Sequence, residues 1–368
     1  MNKPKERSYQ RGALSAIASD KESIFKENKR KNTKEISEKK IILDSMPLWL
    51  GINVTDWCNL QCIMCPSIRH NKKVTLSESA LVKIKELLPY LERIDWQGGE
   101  FFGFPHIKKI FEFLIGYPAM HVEITTNGLL LDQEWIELLL ELNSRVSFSI
   151  DSTDQKIYEY IRRGARFDIL LSNLKKIQEI EIKTGKNLAR DIFVVVMKSN
   201  MHTLPSFIDF AAEFGFRAVT FQPVQFITNE ENIFYNNSYD VGFLQKVMAE
   251  VTEAALLKNI ILRCNLPCCS KKTDSVHYSL QGFDDSLGLF CLYPWKALWI
   301  KSEHNNGDIF PECWCKENVG NIDQDSLLQA WNSIKMQQYR KRIIDKDRTL
   351  CNKNCLELRE GKIFCKHL

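Results

Sequence analysis

Six short, β-rich, largely apolar runs alternate with helical stretches between residues 48 and 224. They are Leu48–Thr55, Arg93–Gln97, His121–Thr126, Val146–Ile150, Ile192–Met197 and Ala218–Val224. Strands that alternate with helices form parallel βαβ units. Strands this apolar belong in a sheet covered on both faces. Thr75-Leu-Ser-Glu78 reads as a capping box opening a helix with Leu81, Ile84, Leu87 and Leu88 on one face. Further helices are expected over His106–Tyr117, Asp132–Leu142, Ile169–Lys183 and Leu204–Phe214. Polar and glycine motifs sit at the C-terminal end of nearly every strand, where α/β sheets and barrels place their active sites. The expected class is α/β, a partial (β/α)6 TIM-like barrel whose open side suits a bulky substrate.

At 368 residues the chain is long enough for two units. A net charge of +4 is too small to imply a nucleic-acid partner. No apolar run approaches the ~20 residues of a membrane helix. The start, Met-Asn-Lys-Pro-Lys-Glu-Arg, has no hydrophobic stretch behind its charges, so no secretory signal is read there. The expectation is a cytoplasmic protein with no membrane partner. Its 12 cysteines are then expected to ligate metal and not to form disulfides.

Three of the cysteines, Cys58, Cys62 and Cys65, lie in Thr-Asp-Trp-Cys-Asn-Leu-Gln-Cys-Ile-Met-Cys-Pro, with the spacing C-x3-C-x2-C. A four-iron cluster used only for electron transfer covers all four irons with thiolates. Three thiolates leave one iron open, much as a catalytic zinc keeps an open position. A structural zinc is the bland alternative, and His70 is the only histidine close by. The run resembles the signature of the radical SAM superfamily. The resemblance implies a [4Fe-4S] cluster whose open iron holds S-adenosyl-L-methionine, which is cleaved to a 5′-deoxyadenosyl radical.

The strand ends agree. Gly98-Gly99-Glu100 closes the second strand, and glycines let the backbone come close to a ligand. It is similar to the family's Gly-Gly-Glu motif, which contacts the amino group of the cofactor's methionine; Phe101 stands where the family often has Pro. Thr125-Thr126-Asn127-Gly128 and Ser147-Phe148-Ser149-Ile150-Asp151 end the next two strands. Asn127, Ser149 and Asp151 suit ribose hydroxyls, although Asn-Gly is also turn chemistry and Asp151 could cap a helix. Arg162 resembles the family's Arg that pairs with the cofactor carboxylate, with Arg163 as its neighbour and competitor. Val196-Met197-Lys198-Ser199-Asn200 ends strand five, where related enzymes hold adenine by backbone groups.

Nine of the cysteines follow residue 263, with no further βα alternation expected there. Cys291-Leu-Tyr-Pro-Trp295, Gly307…Pro311-Glu312-Cys313-Trp314-Cys315, Gly320-Asn-Ile, Ala330-Trp331-Asn332 and Cys351-x3-Cys355 resemble the SPASM/twitch extension of radical SAM enzymes. That extension implies one or two auxiliary [4Fe-4S] clusters. The resemblance favours one, on Cys291, Cys313 or Cys315, Cys351 and Cys355, because Glu312 stands where a cysteine usually follows the proline. Zinc could use the same thiolates. Cys264, Cys268, Cys269 and Cys365 are left as second-cluster ligands, buried thiols, or hydrogen-atom donors, Cys268 first among them.

The expected organisation is a polar, solvated or disordered N-terminal arm at 1–45, the barrel at 46–234, a helical bridge at 235–290 and the iron–sulfur domain at 291–368. The expected function is hydrogen abstraction from a substrate C–H bond, with oxidation or crosslinking of a peptide or protein as first choice. A dehydrogenase or epimerase of a small molecule such as an aminosugar is the alternative. A plain electron-transfer protein is disfavoured, since a carrier gains nothing from an open iron. Expected partners are a peptide or small-molecule substrate and a low-potential donor such as flavodoxin or ferredoxin. A separate peptide-recognition protein could supply leader binding, for which the N-terminal arm is short.

Overall fold

The computed structural model describes residues 22–66, 74–104, 107–225, 227–235, 238–267, 289, 291–302, 307–352 and 355. Its centre is one sheet. The strands are β1 (Trp49–Asn53), β2 (Arg93–Gln97), β3 (His121–Thr126), β4 (Ser144–Ser149), β5 (Ala189–Val196), β6 (Ala218–Pro223), β7 (Ile261–Cys264), β8 (Ala297–Lys301), β9 (Asp308–Phe310) and β10 (Gly320–Asn321). Their order across the sheet is β10-β9-β8-β1-β2-β3-β4-β5-β6-β7. β1 to β7 run parallel in sequence order, so the six-unit array is present.

The sheet is larger than the sequence reading allowed. β7 is a seventh parallel strand at one edge, where a helical bridge was expected. Ile-Leu-Arg-Cys is short and carries a charge, so its strand signal is weak. At the other edge β8 pairs parallel with β1, and β9 and β10 continue antiparallel. The C-terminal cysteine region is therefore built onto the barrel sheet. Gly51 permits this pairing: a Cβ there would lie 2.1 Å from the Trp299 ring.

Helices alternate with these strands along the chain. In chain order they are α1 (residues 22–37), α2 (Glu78–Lys83), α3 (Lys108–Leu114), α4 (Gln133–Leu140), α5 (Gln155–Ile161), α6 (Phe167–Thr184), α7 (Ser206–Glu213), α8 (Val241–Leu257), α9 (Tyr293–Lys296), α10 (Leu327–Trp331) and α11 (Ile334–Ile344). Trp96 of β2 meets Phe101 and Phe111 at ring separations of 5.8 and 5.3 Å, and Phe111 meets Trp135 of α4 at 5.5 Å. Each such pair adds about 0.5–1.5 kcal/mol beyond its buried area.

Caps explain where helices start, and one differs from expectation. Asp132 and Asp154 accept from Trp135 N and Ile157 N, each cap contributing about 1 kcal/mol. Ser77, not Thr75, caps α2 by accepting from Ala80 N. Thr75 instead bridges to Thr55, hydroxyl to hydroxyl at 2.7 Å, closing the base of the cysteine loop. Leu81, Ile84, Leu87 and Leu88 are buried as the spacing requires.

The described part of the N-terminal segment is not a solvated arm. Asn28, Asn32, Glu35 and Ser45 are buried polar residues. Asn28 Nδ2 donates to Met46 O and Tyr90 O, and Asn32 Nδ2 to Trp295 O. Trp295 and Trp331 return indole donors to Lys40 O and Ser45 O. Arg340 of α11 is fully buried and donates to the carbonyls of Ile41, Pro294 and Trp331. Residues 22–46 thus strap the barrel to the C-terminal region. Polar side chains that bond to distant backbone look solvated in a sequence. Among the described residues no helix is long and apolar enough to cross a membrane.

Candidate active site and auxiliary cysteine group

The cysteine loop leaves the end of β1 and is fixed from three sides. Gln61 N and Ile63 N donate to Arg163 O and Ile161 O at the end of α5, at 2.8 and 2.9 Å. Glu100 N donates to Trp57 O at 2.8 Å. Asn127 Nδ2 donates to Asn59 Oδ1 at 2.8 Å and lies 3.9 Å from Cys58 Sγ. Leu60 N lies 3.4 Å from the same sulfur, and Arg162 Nη1 is 3.9 Å from Cys62 Sγ. Thiolates need such donors.

Cys62 is buried, whereas Cys58 and Cys65 are partly exposed. Burial pushes the Cys62 thiol up to about 11, against the pull of Arg162. The charges of Cys58 and Cys65 also act on it, so the three thiols share one neighbourhood. Among the described residues no three Cys, His, Asp or Glu side chains form a ready group for a single metal ion. Three thiols held on one loop with backbone and side-chain donors aimed at two of the sulfurs fit a larger, anionic iron–sulfur cluster.

The Gly98-Gly99-Glu100 turn has a packing role that the sequence reading had given to a ligand. Gly98 has φ +92° and Gly99 φ +23°. A Cβ on them would lie 2.5 Å from Thr55 O and 1.8 Å from Trp57 O. The close approach is to the cysteine loop itself. Glu100 is fully buried and accepts from Thr126 Oγ1 at 2.6 Å, Asn127 N at 2.8 Å and Phe102 N at 3.3 Å. Burial raises its pKa, and those three donors oppose the rise. Its side chain thus ties β2 to β3.

Asp151 and Arg162 meet each other. Arg162 Nη2 is 2.8 Å from Asp151 Oδ2, both side chains being buried. Asp151 Oδ1 accepts from Val195 N, and Asn200 Nδ2 donates to Asp151 O. Burial disfavours the Arg162 charge, but Asp151, Cys62 and Tyr158 hold its pKa above the ordinary value. Asn127 makes the turn expected of Asn-Gly, its Oδ1 accepting from Leu129 N, while its Nδ2 faces the cysteine loop.

Ser149 is half-buried at the end of β4. Strand alternation puts it on one face of the sheet, with Asn53, Gln97, Thr125, Val195, Gln222 and Lys301, all half-buried at strand ends. This rim, polar except for Val195, was missed in sequence, apart from Ser149 and Thr125. Counting back in twos from each strand end would have found it. Deeper on the same face lie charges, each paired: Arg93–Asp95 at 2.6 Å, Arg145–Glu123 at 3.0 Å, and Asp191 with Arg217 and Arg263 at 2.9 and 3.1 Å.

The C-terminal cysteines divide. Burial first, then Cys315, Cys355 and Cys351, push the Cys291 thiol well above its usual value. Cys315 is pushed up by burial, then Glu312, Cys355 and Cys351. Cys315 and Cys351 form an antiparallel bridge. Cys291, Cys315, Cys351 and Cys355 therefore share one neighbourhood. Cys313 turns away: its thiol donates to Glu312 Oε1 at 2.7 Å, and Lys301 Nζ donates to its carbonyl at 2.6 Å. Of the pair left open in sequence, Cys315 stands in the group.

Cys264 corrects another expectation. It is disulfide-bonded, and since every other described cysteine is free, its partner lies outside the described residues. Cys268, Cys269, Cys365 and His70 also lie outside them, so no geometry bears on Cys268 as a donor.

Residues 52–211 match the radical SAM superfamily, and residues 291–356 match the SPASM domain, an iron–sulfur cluster-binding domain. A GTP 3′,8-cyclase of Peptoclostridium acidaminophilum is 31% identical over 143 residues, which is 36% of this chain and 43% of that protein. A probable GTP 3′,8-cyclase of Methanocaldococcus jannaschii is 22% identical over 218 residues, 58% of this chain and 70% of that one. The fold is similar to Streptococcus suis SuiB bound to S-adenosylmethionine, with TM-score 0.61 and 21% identity over 85% of this chain and 71% of SuiB. It is similar also to anSMEcpe with bound AdoMet, with TM-score 0.59 and 19% identity over 86% and 91%. The chain belongs to the radical SAM superfamily and is an enzyme of the kind that carries a C-terminal SPASM domain.

Proposed function

We propose that Cys58, Cys62 and Cys65 hold a four-iron cluster with one iron left for S-adenosylmethionine, and that Cys291, Cys315, Cys351 and Cys355 hold one auxiliary cluster. The observation that carries this reading is that Cys58, Cys62 and Cys65 neighbour one another on one loop while Cys291, Cys315, Cys351 and Cys355 neighbour one another elsewhere, with Cys315 bridged to Cys351. When bound, the first cluster and S-adenosylmethionine supply a radical able to take hydrogen from an unactivated C–H bond.

The chain's own residues do the positioning. Leu60 N and Asn127 Nδ2 face the Cys58 sulfur, and Arg162 faces Cys62. Glu100 fixes the Thr126–Asn127 turn that carries one of those donors. The Gly98–Gly99 backbone, Ser149 and Asp151 are the proposed contacts to S-adenosylmethionine. Arg162 would pair with its carboxylate by exchanging part of its bond to Asp151.

The proposed substrate is a peptide or protein side chain, oxidised or crosslinked. SuiB has been solved with precursor peptide SuiA and anSMEcpe with the Cp18Cys peptide, which supports this class. The names of the curated relatives favour a second reading, GTP cyclisation. A direct comparison decides: incubate the reduced holoenzyme with S-adenosylmethionine and either GTP or candidate peptides. Peptide products about two mass units lighter support the first reading. A cyclised nucleotide product, with no peptide change, overturns it.

A further inference from the structure

The hydroxyl of Tyr158 is buried and, among the described residues, has no hydrogen-bond partner. Buried hydroxyls are seldom left so, and an unpartnered one asks for a group that completes it. Tyr158 lies on α5, and Arg162 follows four residues later, so the two side chains share one face. Arg162 N donates to Tyr158 O at 2.8 Å, which keeps that turn helical. The next bonds, Ile63 N to Ile161 O and Gln61 N to Arg163 O, clamp Cys62 beneath the same end of α5. The Tyr158 ring is fixed against Phe167 at 5.1 Å. The ionisable groups that act on its hydroxyl are Arg162, Asp151, Cys62 and Glu100.

The donors around the loop are unequal. Cys58 Sγ has two nearby, Leu60 N and Asn127 Nδ2. Cys62 Sγ, the most buried of the three, has Arg162 alone, at 3.9 Å. Ile161, Met197, Val224 and Ile227 form an apolar patch against which Ile63 and Met64 of the loop pack. Added negative charge in such a place is costly without donors.

We propose that Tyr158 is a positioning residue for the cluster held by Cys58, Cys62 and Cys65: its buried hydroxyl, unpartnered among the described residues, donates to a sulfur of the bound cluster and raises the cluster's reduction potential. This rests on the cluster assignment above. Hydrogen bonds to cluster sulfurs are a recognised control of potential. Here the bond makes acceptance of an electron easier in a water-poor setting.

The test is Tyr158→Phe in the full-length, anaerobically reconstituted protein. The reporter is the EPR signal that disappears when Cys58, Cys62 and Cys65 are all changed to alanine. Tyr158→Phe is expected to keep its iron and to shift that signal's midpoint potential to a more negative value. Tyr160→Phe, whose half-exposed hydroxyl faces Glu231 at 3.2 Å, is expected to leave it in place. Before reconstitution, Tyr158→Phe should unfold at the same denaturant midpoint as the wild type or higher, because the hydroxyl has no partner to lose. A lower midpoint would show a partner within the protein and overturn the proposal. An unmoved potential in an iron-replete variant would also overturn it, including when S-adenosylmethionine binding alone is weakened. A wild-type protein with no signal dependent on the three cysteines would remove the cluster assignment and this proposal together.

Discussion

The thiol of Cys313 donates to the buried carboxyl of Glu312 across 2.7 Å, and this bond sets Cys313 apart from the neighbouring cysteines. Glu312 also accepts from Trp314 N at 2.6 Å, so the carboxyl fixes the turn that delivers Cys315. Cys315→Ala should therefore lose about four iron atoms per chain, given four irons per cluster. Cys313→Ala should keep them. Iron and sulfide analysis of both variants decides, and the reverse pattern would exchange the two assignments.

Gly99→Ala tests the contact between the second strand end and the cysteine loop. Its Cβ would lie 1.8 Å from Trp57 O at φ +23°. Strain and overpacking each cost about 1–3 kcal/mol, so a loss of about 2 kcal/mol or more is expected, together with iron from the first cluster. Gly185 has φ +69° but nothing within 4 Å of its would-be Cβ. Gly185→Ala should cost about 1 kcal/mol, from strain alone, and leave iron unchanged. Denaturant unfolding and iron content measure both. Equal losses in the two variants would mean that the loop contact contributes nothing.

Arg340→Met probes the strap. The change leaves the carbonyls of Ile41, Pro294 and Trp331 without their donor and removes a cation 4.7 Å above the Trp331 ring. Leaving a buried acceptor without its donor costs about 1–3 kcal/mol. Hydrogen exchange should quicken in residues 22–46 before the barrel strands. Uniform exchange throughout would show that the strap does not open by itself.

The barrel was readable because each strand ends in a polar or glycine motif, and strand–helix alternation survives without tertiary information. β7 was not readable: Arg263 serves a buried ion pair with Asp191, so a core strand carries a charge that argues against it locally. The strap was hidden for a similar reason, since Asn28, Asn32 and Glu35 look solvated until their distant backbone partners are known. α5 was missed because Gln155–Ile161 is only two turns long. In the site, the spacing of Cys58, Cys62 and Cys65 on one loop was plain in the sequence. The bond that sets Cys313 apart from Cys315 was not, because it depends on which thiol Glu312 captures. Asp151 and Arg162 were picked as separate ligand contacts, but nothing in their spacing reveals that they pair.

The most direct test of the account is reductive cleavage of S-adenosylmethionine. The reconstituted protein, reduced anaerobically with dithionite, should form 5′-deoxyadenosine. The variant with Cys58, Cys62 and Cys65 all changed to alanine should form none, while keeping the iron of the C-terminal group. Continued 5′-deoxyadenosine formation by that variant would contradict the assignment of the open cluster to these three cysteines.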